Sequence, residues 1–292
     1  MKKILFLIHD LGGGGAEKVL VNLVDHMDRT LFEIHVTALF GGGTNEQFLK
    51  PDIHYHVVWN KMLPGNSKLM KLLTPGQLHR LCVKEHYDIE VSYLEGPAAR
   101  VISGCEDPKT KLVSWIHVEQ HTMKTLAGAF RSAREAEACY RAFHNTICVS
   151  EYVKKDFCSI LCFDRPCEVL YNTVESEQIL EKARHEIDFS MDQQVTNLIA
   201  VGTLKQSKGY MRLLNIMKRL REHDETVHLY ILGRGPLQGE MEQFIREHSM
   251  EKLVTLLGYD TNPYQYIARA DLFVCASFSE GFSTAATEAL IV

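Results

Sequence analysis

The sequence predicts an α/β protein made of two doubly wound domains. Short apolar runs of strand length alternate with longer helical patterns along the whole chain, and glycine-rich turns follow several of those runs. A polar stretch, "IDFSMDQQVTN" (187–197), breaks the alternation into two halves. The 292 residues fit two domains at ~100–200 residues each. A composition 46% hydrophobic and 24% charged supports a large core and argues against disorder.

The elements follow in order. "KILFLIH" is an apolar run that leads through "DLGGGG" into "AEKVLVNLVDHM", where Val19, Leu20, Leu23 and Val24 recur at helical spacing. "FEIHVTALF", "DIEVSYLE", "TKLVSWIHV" and "NTICVS" continue the strand-like series. After the polar stretch come "LIAVGTL", the helix "GYMRLLNIMKRLREH", "VHLYILG", the helix "GEMEQFIREHS", "LVTLLGY", the helix "YQYIARA" and "DLFVCAS", the last expected as a buried strand. Strands separated by helices pair in parallel, so residues 1–186 and 187–292 are each expected to form a parallel sheet. Ligands in such sheets bind outside the carboxyl ends of the strands, which puts the expected chemistry in a cleft between two such edges.

Several function classes are excluded. A net charge of −5 gives no electrostatic case for a nucleic-acid partner. The eight cysteines are scattered, and Cys158, Cys162 and Cys167 lack a paired C-x-x-C spacing, so reduced thiols are expected rather than disulfides or structural zinc. The run Ile4–Ile8 is shorter than the ~7–15 apolar residues of a signal core, and no stretch reaches the ~18 of a membrane span. The first turn fails the dinucleotide fingerprint, because from Gly12 the sixth position is Glu17. No Walker loop is present.

What remains points to phosphate and hydroxyls. Gly14 and Gly15 open a helix after the first strand and let backbone approach an anion, although a flexible turn is the plain alternative. Lys208, before Gly209 and a helix start, reaches phosphate as a mobile charge or stands solvated. Gly233 belongs to a tight turn at a strand end. In "FSEGFSTAATEALIV", Glu280 sits in a loop and Glu288 about one and a half turns into the following helix. Phe282, Ser283 and Thr284 offer amides at that helix start, with Ser283 or Thr284 as its cap. Amides suit a diphosphate and carboxylates suit sugar hydroxyls, so the set suits a nucleoside diphosphate sugar, whereas two surface glutamates are the bland reading.

These motifs in this order resemble those of retaining family-4 glycosyltransferases of the GT-B fold, which build capsular, exopolysaccharide or lipid-linked glycans. The resemblance runs through "GGGGAEK", "WIHVEQH", "ICVSEYVKKDF", "VLYNTVES", "VGTLKQSKG", "ILGRGP" and the E-x7-E motif "EGFSTAATE". It implies two Rossmann-like domains facing across a cleft: an acceptor-side domain (1–186) and a donor domain (187–292). It implies that Glu280 touches the transferred sugar, Glu288 holds the ribose hydroxyls, Lys208 binds the donor diphosphate, Gly14 and Gly15 form the amino-terminal loop, and His117 lies near the transferred sugar. The donor is then UDP- or GDP-linked, no metal is expected, and the acceptor is a glycan or lipid-linked glycan.

The chain departs from the family pattern at Gly202-Thr203-Leu204, where arginine usually holds the middle position, and at Asn172-Thr173, where Asn-Gly is usual. The first departure removes one of the two cations that clamp the diphosphate. The segment 61–81 mixes Lys61, Lys68, Lys71 and Arg80 with Met62, Leu69, Met70, Leu72 and Leu73, a composition suited to an anionic membrane surface or to an ordinary exposed helix. The expected location is cytoplasmic, peripheral at the inner membrane face. Family members continue beyond the E-x7-E helix, so the second domain is expected to be incomplete and the chain to bind donor weakly. The rival functions are a weak or inactive fragment that at most binds nucleotide, and a sugar-nucleotide epimerase on the same fold.

Overall fold

The computed structural model describes residues 1–12, 14–61, 70–162, 164–223 and 226–292. It divides into two units, Met1–Thr173 and Val174–Val292. In the first, the strands are β1 (Lys2–Ile8), β2 (Phe32–Phe40), β3 (His54–Trp59), β4 (Ile89–Tyr93), β5 (Lys111–Ile116), β6 (Asn145–Cys148) and β7 (Cys167–Val169). Its helices are α1 (Gly15–His26), α2 (Pro75–Cys82), α3 (Pro97–Ile102), α4 (Met123–Leu126), α5 (Ala133–Ala142) and α6 (Glu151–Leu161). All strand pairs are parallel, in the order β3-β2-β1-β4-β5-β6-β7.

The sequence explains these elements locally. β1 is buried from Ile4 to Ile8 because a parallel sheet with helices on both faces leaves no wet side. α2 begins at a capping box in which the Thr74 hydroxyl accepts from Gln77 N, the Gln77 side chain accepts from Thr74 N, and Pro75 fills the first helical position. Ser132 and Ser150 cap α5 and α6 through their hydroxyls. Arg100 of α3, 1% exposed, pairs with both oxygens of Glu135 at 3.1 Å and donates to the carbonyls of Met70 and Leu73 at 2.8 and 2.7 Å. A buried guanidinium needs that full set of acceptors.

The second unit runs α7 (Ser176–Ala183), β8 (Thr196–Val201), α8 (Tyr210–Glu222), β9 (Val227–Leu232), α9 (Gln238–Glu247), β10 (Val254–Gly258), α10 (Tyr264–Ile267), β11 (Leu272–Phe273) and α11 (Thr284–Ile291). Its strands are parallel in the order β10-β9-β8-β11. The first unit repeats this topology in β3-β2-β1-β4. In both, the order reverses between the first and fourth strands, which is where open α/β sheets bind ligands.

Three sequence expectations are corrected. The units divide at Thr173/Val174 rather than at 186/187, because α7 packs on α10 and α11 and buries Ile179 and Ala183 in the second core. "DLFVCAS" is not a buried strand: β11 is two residues long at the sheet edge, and Leu272 is 55% exposed with no strand beyond it among the described residues. The sequence reading also passed over β3 and β7.

Candidate active site

In the second unit the carboxyl edge of the sheet gathers the loops after β8 and β11. The loop after β8 makes a short 3-10 turn, Gln206–Lys208, and enters α8 through Gly209 at φ +70. Only glycine adopts that conformation without strain, and it also leaves room: a Cβ there would lie 2.0 Å from the Ala276 carbonyl oxygen. The two loops therefore touch backbone to backbone, and Phe278 N donates to Ser207 O at 2.9 Å. Arg212, in the first turn of α8, donates to the Ala276 carbonyl and lays its guanidinium 4.6 Å from the Phe278 ring centre.

That framework places Lys208 against Glu280. Lys208 Nζ donates to Glu280 Oε1 at 2.5 Å, and Ser277 Oγ donates to the same oxygen at 2.6 Å. Both side chains are about a quarter exposed, at 27% and 25%. Two donors on one carboxylate oxygen, open to solvent, make an arrangement that an incoming anion or a set of hydroxyls can exchange into.

Glu288 lies deeper, 7% exposed in α11, and accepts from Tyr264 Oη at 3.1 Å. Ser283 caps α11: its hydroxyl accepts from Ala286 N at 3.4 Å and its carbonyl accepts from Thr287 N at 3.0 Å. Phe282 and Thr284 flank that cap. Gly233 follows β9 and packs against the loop after β8, where a Cβ would meet the Gly202 carbonyl at 2.0 Å. Thr203, in place of the family arginine, is exposed, while Arg234 lies beside the same loop, its carbonyl accepting from Leu204 N at 3.0 Å.

In the first unit Gly14 caps α1 and Gly15 begins it. The loop before them is tied to its neighbour after β2, with Asn45 N donating to Leu11 O at 2.9 Å and the Asn45 amide donating to Gly12 O. His117 directly follows β5, 5% exposed, with its ring 4.5 Å from that of Tyr93. Burial pulls its pKa down to about 3, so the imidazole is neutral. Its Nε2 is buried without a hydrogen-bond partner among the described residues.

The structure thus brings Lys208, Glu280 and Gly233 to one sheet edge with α11, and places Gly14, Gly15 and His117 at the carboxyl ends of β1 and β5. Sequence reading missed Ser277, Arg212 and Tyr264, whose roles depend on contacts across 64 residues to Ala276, across 24 residues to Glu288, or, for Ser277, on the turn of the Glu280 loop. Of the segment 61–81, residues 62–69 lie outside the described residues. Met70, expected on its surface, is buried, whereas Leu72 is 74% exposed. Two clusters elsewhere bring metal-type donors together, Glu33–His35–His54 and His79–Glu90–Cys105. The eight cysteines are free thiols. Among the described residues no helix is long and apolar enough to cross a membrane.

Comparison with known proteins assigns the family. A model described as "Glycosyltransferase Family 4" matches residues 13–178, and one described as "Glycosyl transferases group 1" matches 183–292. The chain belongs to glycosyltransferase family 4. It is 28% identical over 99% of its length, and 78% of the relative's, to the N-acetylgalactosamine-N,N'-diacetylbacillosaminyl-diphospho-undecaprenol 4-alpha-N-acetylgalactosaminyltransferase of Campylobacter jejuni. It is 24% identical over 94% of its length to the lipopolysaccharide core biosynthesis glycosyltransferase LpsD of Rhizobium meliloti, covering 71% of it. Among solved structures, Anabaena Alr3699/HepE in complex with UDP and glucose superposes with a TM-score of 0.75 at 21% identity, covering all of this chain and 78% of that one. S. aureus TarM gives 0.73 at 14%, covering all of this chain and 84% of that one. The fold is GT-B, and the protein is a glycosyltransferase of polysaccharide or lipid-linked glycan biosynthesis.

Proposed function

We propose that this enzyme is a retaining glycosyltransferase that moves a sugar from a UDP- or GDP-linked donor to a lipid-linked glycan acceptor. The observation that carries the reading is the Lys208–Glu280–Ser277 constellation at the switch point of the second sheet. A donor diphosphate competes with Glu280 for Lys208, and the carboxylate so released accepts hydrogen bonds from the sugar hydroxyls. Glu288, behind it, is the carboxylate for the ribose hydroxyls, and the α11 cap at Phe282, Ser283 and Thr284 faces the phosphates. Gly233 lets backbone approach the nucleotide. The first unit contributes His117 and the Gly14–Gly15 turn to substrate binding.

In this chemistry the anomeric carbon–phosphate oxygen bond breaks and the acceptor oxygen bonds to the same face of that carbon. The acceptor proton passes to the departing diphosphate. Lys208 stabilises the charge that grows on that leaving group, a preorganised electrostatic contribution needing no metal. The Campylobacter relative is named for a diphospho-undecaprenol-linked acceptor and the Anabaena structure holds UDP and glucose, which supports a UDP sugar and a polyprenyl-diphosphate acceptor. We place the enzyme in the cytoplasm at the inner membrane face, with exposed Leu72, Lys61 and Arg80 toward lipid. Family membership favours transfer over epimerisation.

Thermal melting with UDP, GDP, their sugar conjugates, NAD and ATP tests the reading. Saturation at one hundred times the dissociation constant adds about 2.7 kcal/mol of stability. UDP or GDP compounds should raise the melting temperature more than NAD or ATP. A shift produced by NAD alone overturns it.

A further inference from the structure

A cluster of metal-type donors lies in the first unit, toward the end of the sheet opposite the candidate residues. Glu90 is the second residue of β4 and 2% exposed, whereas His117 and the Gly14–Gly15 turn follow strand ends. His79 of α2 reaches it, with Nε2 2.7 Å from Glu90 Oε2. No lysine or arginine pairs with that carboxylate among the described residues. A buried carboxylate held by one imidazole has little to offset the loss of its hydration. Cys105 stands beside both: its Sγ, an imidazole nitrogen of His79 and a carboxylate oxygen of Glu90 all lie within 4.8 Å of one another.

The backbone fixes all three. α2 starts from its capping box at Thr74, and Pro75 packs so closely on the turn after α3 that a Cβ on Gly104 would lie 2.1 Å from the Pro75 carbonyl oxygen. Cys105 closes that turn, its N donating to Ile102 O at 3.1 Å. A His79–Glu90 ion pair accounts for two of the donors and gives no part to the sulfur. Imidazole, carboxylate and thiolate together are a zinc-type set. One carboxylate and one thiolate also neutralise a divalent ion, which suits a site at the edge of a core. Tetrahedral zinc holds such donors about 3.3–3.6 Å apart, so His79 and Glu90 need to part by only about 0.6 Å to admit it. His79 and Cys105 are both partly exposed, which gives the ion a way in. The other cluster, Glu33–His35–His54, lacks sulfur and has Lys3 Nζ 3.6 Å from Glu33 Oε1, a cation beside the place an ion would take.

We propose that His79, Glu90 and Cys105 bind one zinc ion, with water as the fourth ligand, and that the ion clips α2 and the turn after α3 to β4. As the sulfur–zinc bond forms, the Cys105 proton leaves to solvent. His79 Nε2 gives up the proton it shares with Glu90 and coordinates as neutral imidazole, its hydrogen on Nδ1. The site lies within one unit and takes no part in sugar transfer, so it stands or falls apart from the function proposed above.

The test titrates the full chain, stripped by a chelator and kept reduced, with zinc against a chromophoric chelator and with cobalt(II) as a spectroscopic stand-in. The wild type should take up one zinc and melt at a higher temperature with it. Its cobalt form should show a thiolate-to-cobalt charge-transfer band. Cys105→Ser should lose that band and bind zinc at least about 100-fold more weakly, since loss of a mere outer-shell partner costs ~10–100-fold. His35→Gln should bind zinc as the wild type does. So should the Cys148→Ser/Cys167→Ser double variant, which alters a thiol pair 3.6 Å apart elsewhere in the unit. On the folded wild type, zinc should protect Cys105 from alkylation, read by mass spectrometry, which keeps the test intact if a variant misfolds. Absence of zinc uptake by the wild type, a band that survives in Cys105→Ser, or uptake lost in either control variant overturns the proposal, and so does Cys105 alkylation unchanged by zinc.

Discussion

Lys208 and Glu280 pair at 2.5 Å, so a donor diphosphate competes with Glu280 for the ammonium. This gives the two variants opposite signs for the bare nucleotide. Lys208→Ala should weaken UDP and the sugar nucleotide alike, because the lysine acts on phosphate. Glu280→Gln should leave UDP binding equal or tighter, since Lys208 is released, and should weaken the sugar nucleotide by roughly 10- to 100-fold, one lost hydrogen bond to a charged group being worth ~1.5–3 kcal/mol. Calorimetric titration of both ligands decides it, and equal losses in Glu280→Gln refute the assignment. Glu95 and His117 add opposed pH slopes. Burial raises the folded pKa of Glu95, in the loop after β4, from 4.5 to about 7, so the unfolded chain ionises first and stability falls as pH rises through that window. His117 has its folded pKa lowered from 6.5 to about 3, so only the unfolded chain takes up the proton and stability falls as pH drops below 6.5. Urea melts against pH should therefore show Glu95→Gln with the steeper acid loss and His117→Gln with the shallower one.

The entry to α8 shows what the elements do for these residues. Gly209 and Gly239 both stand near helix starts, yet they differ in backbone and in space. Gly209 has φ +70 and a carbonyl 2.0 Å from its would-be Cβ, whereas Gly239, inside α9, meets nothing within 4 Å. Gly209→Ala should destabilise by ~1–2 kcal/mol from the left-handed conformation alone, and more because the Glu280 loop must move. Gly239→Ala should stabilise by ~0.5–1 kcal/mol. Denaturant melts read both, and equal effects would show that the close approach to Ala276 is not tight. Elements with a clear period were legible in the sequence: β1, α1, β8 and α8 carry long apolar patterns that burial then follows. β3 was missed because "HYHVVW" alternates exposed histidines with half-buried residues, and β7 because three residues carry no period. α7 was read into the wrong half, since an amphipathic pattern names a buried face without naming the sheet that buries it.

At the scale of the molecule, the two units repeat one strand order, and the candidate residues lie at the sheet edges where such topologies bind ligands. Lys208, Glu280 and Glu288 could be found in the sequence because each follows a recognisable strand end or helix start. Glu90 stood in plain view in "DIEVSY", but nothing in its neighbours signals the approach of His79, which is 11 residues away in sequence, or of the Cys105 thiol. Partnership across sequence distance is a tertiary fact. The nucleotide prediction follows from the same division, because each unit encloses its own core. UDP should slow hydrogen exchange in the second unit's loops, at 202–209, 233–235 and 277–287, where backbone groups surround Lys208 and the α11 cap. Amides of the first core, in β1, β2 and β4, exchange through opening of that unit, and a ligand bound to the second unit adds nothing to their stability directly. Mass-spectrometric exchange with and without saturating UDP reads both regions at once. Protection confined to the first unit, with none at 202–209, 233–235 and 277–287, would place the nucleotide on the first unit and reverse the assignment of donor and acceptor sides.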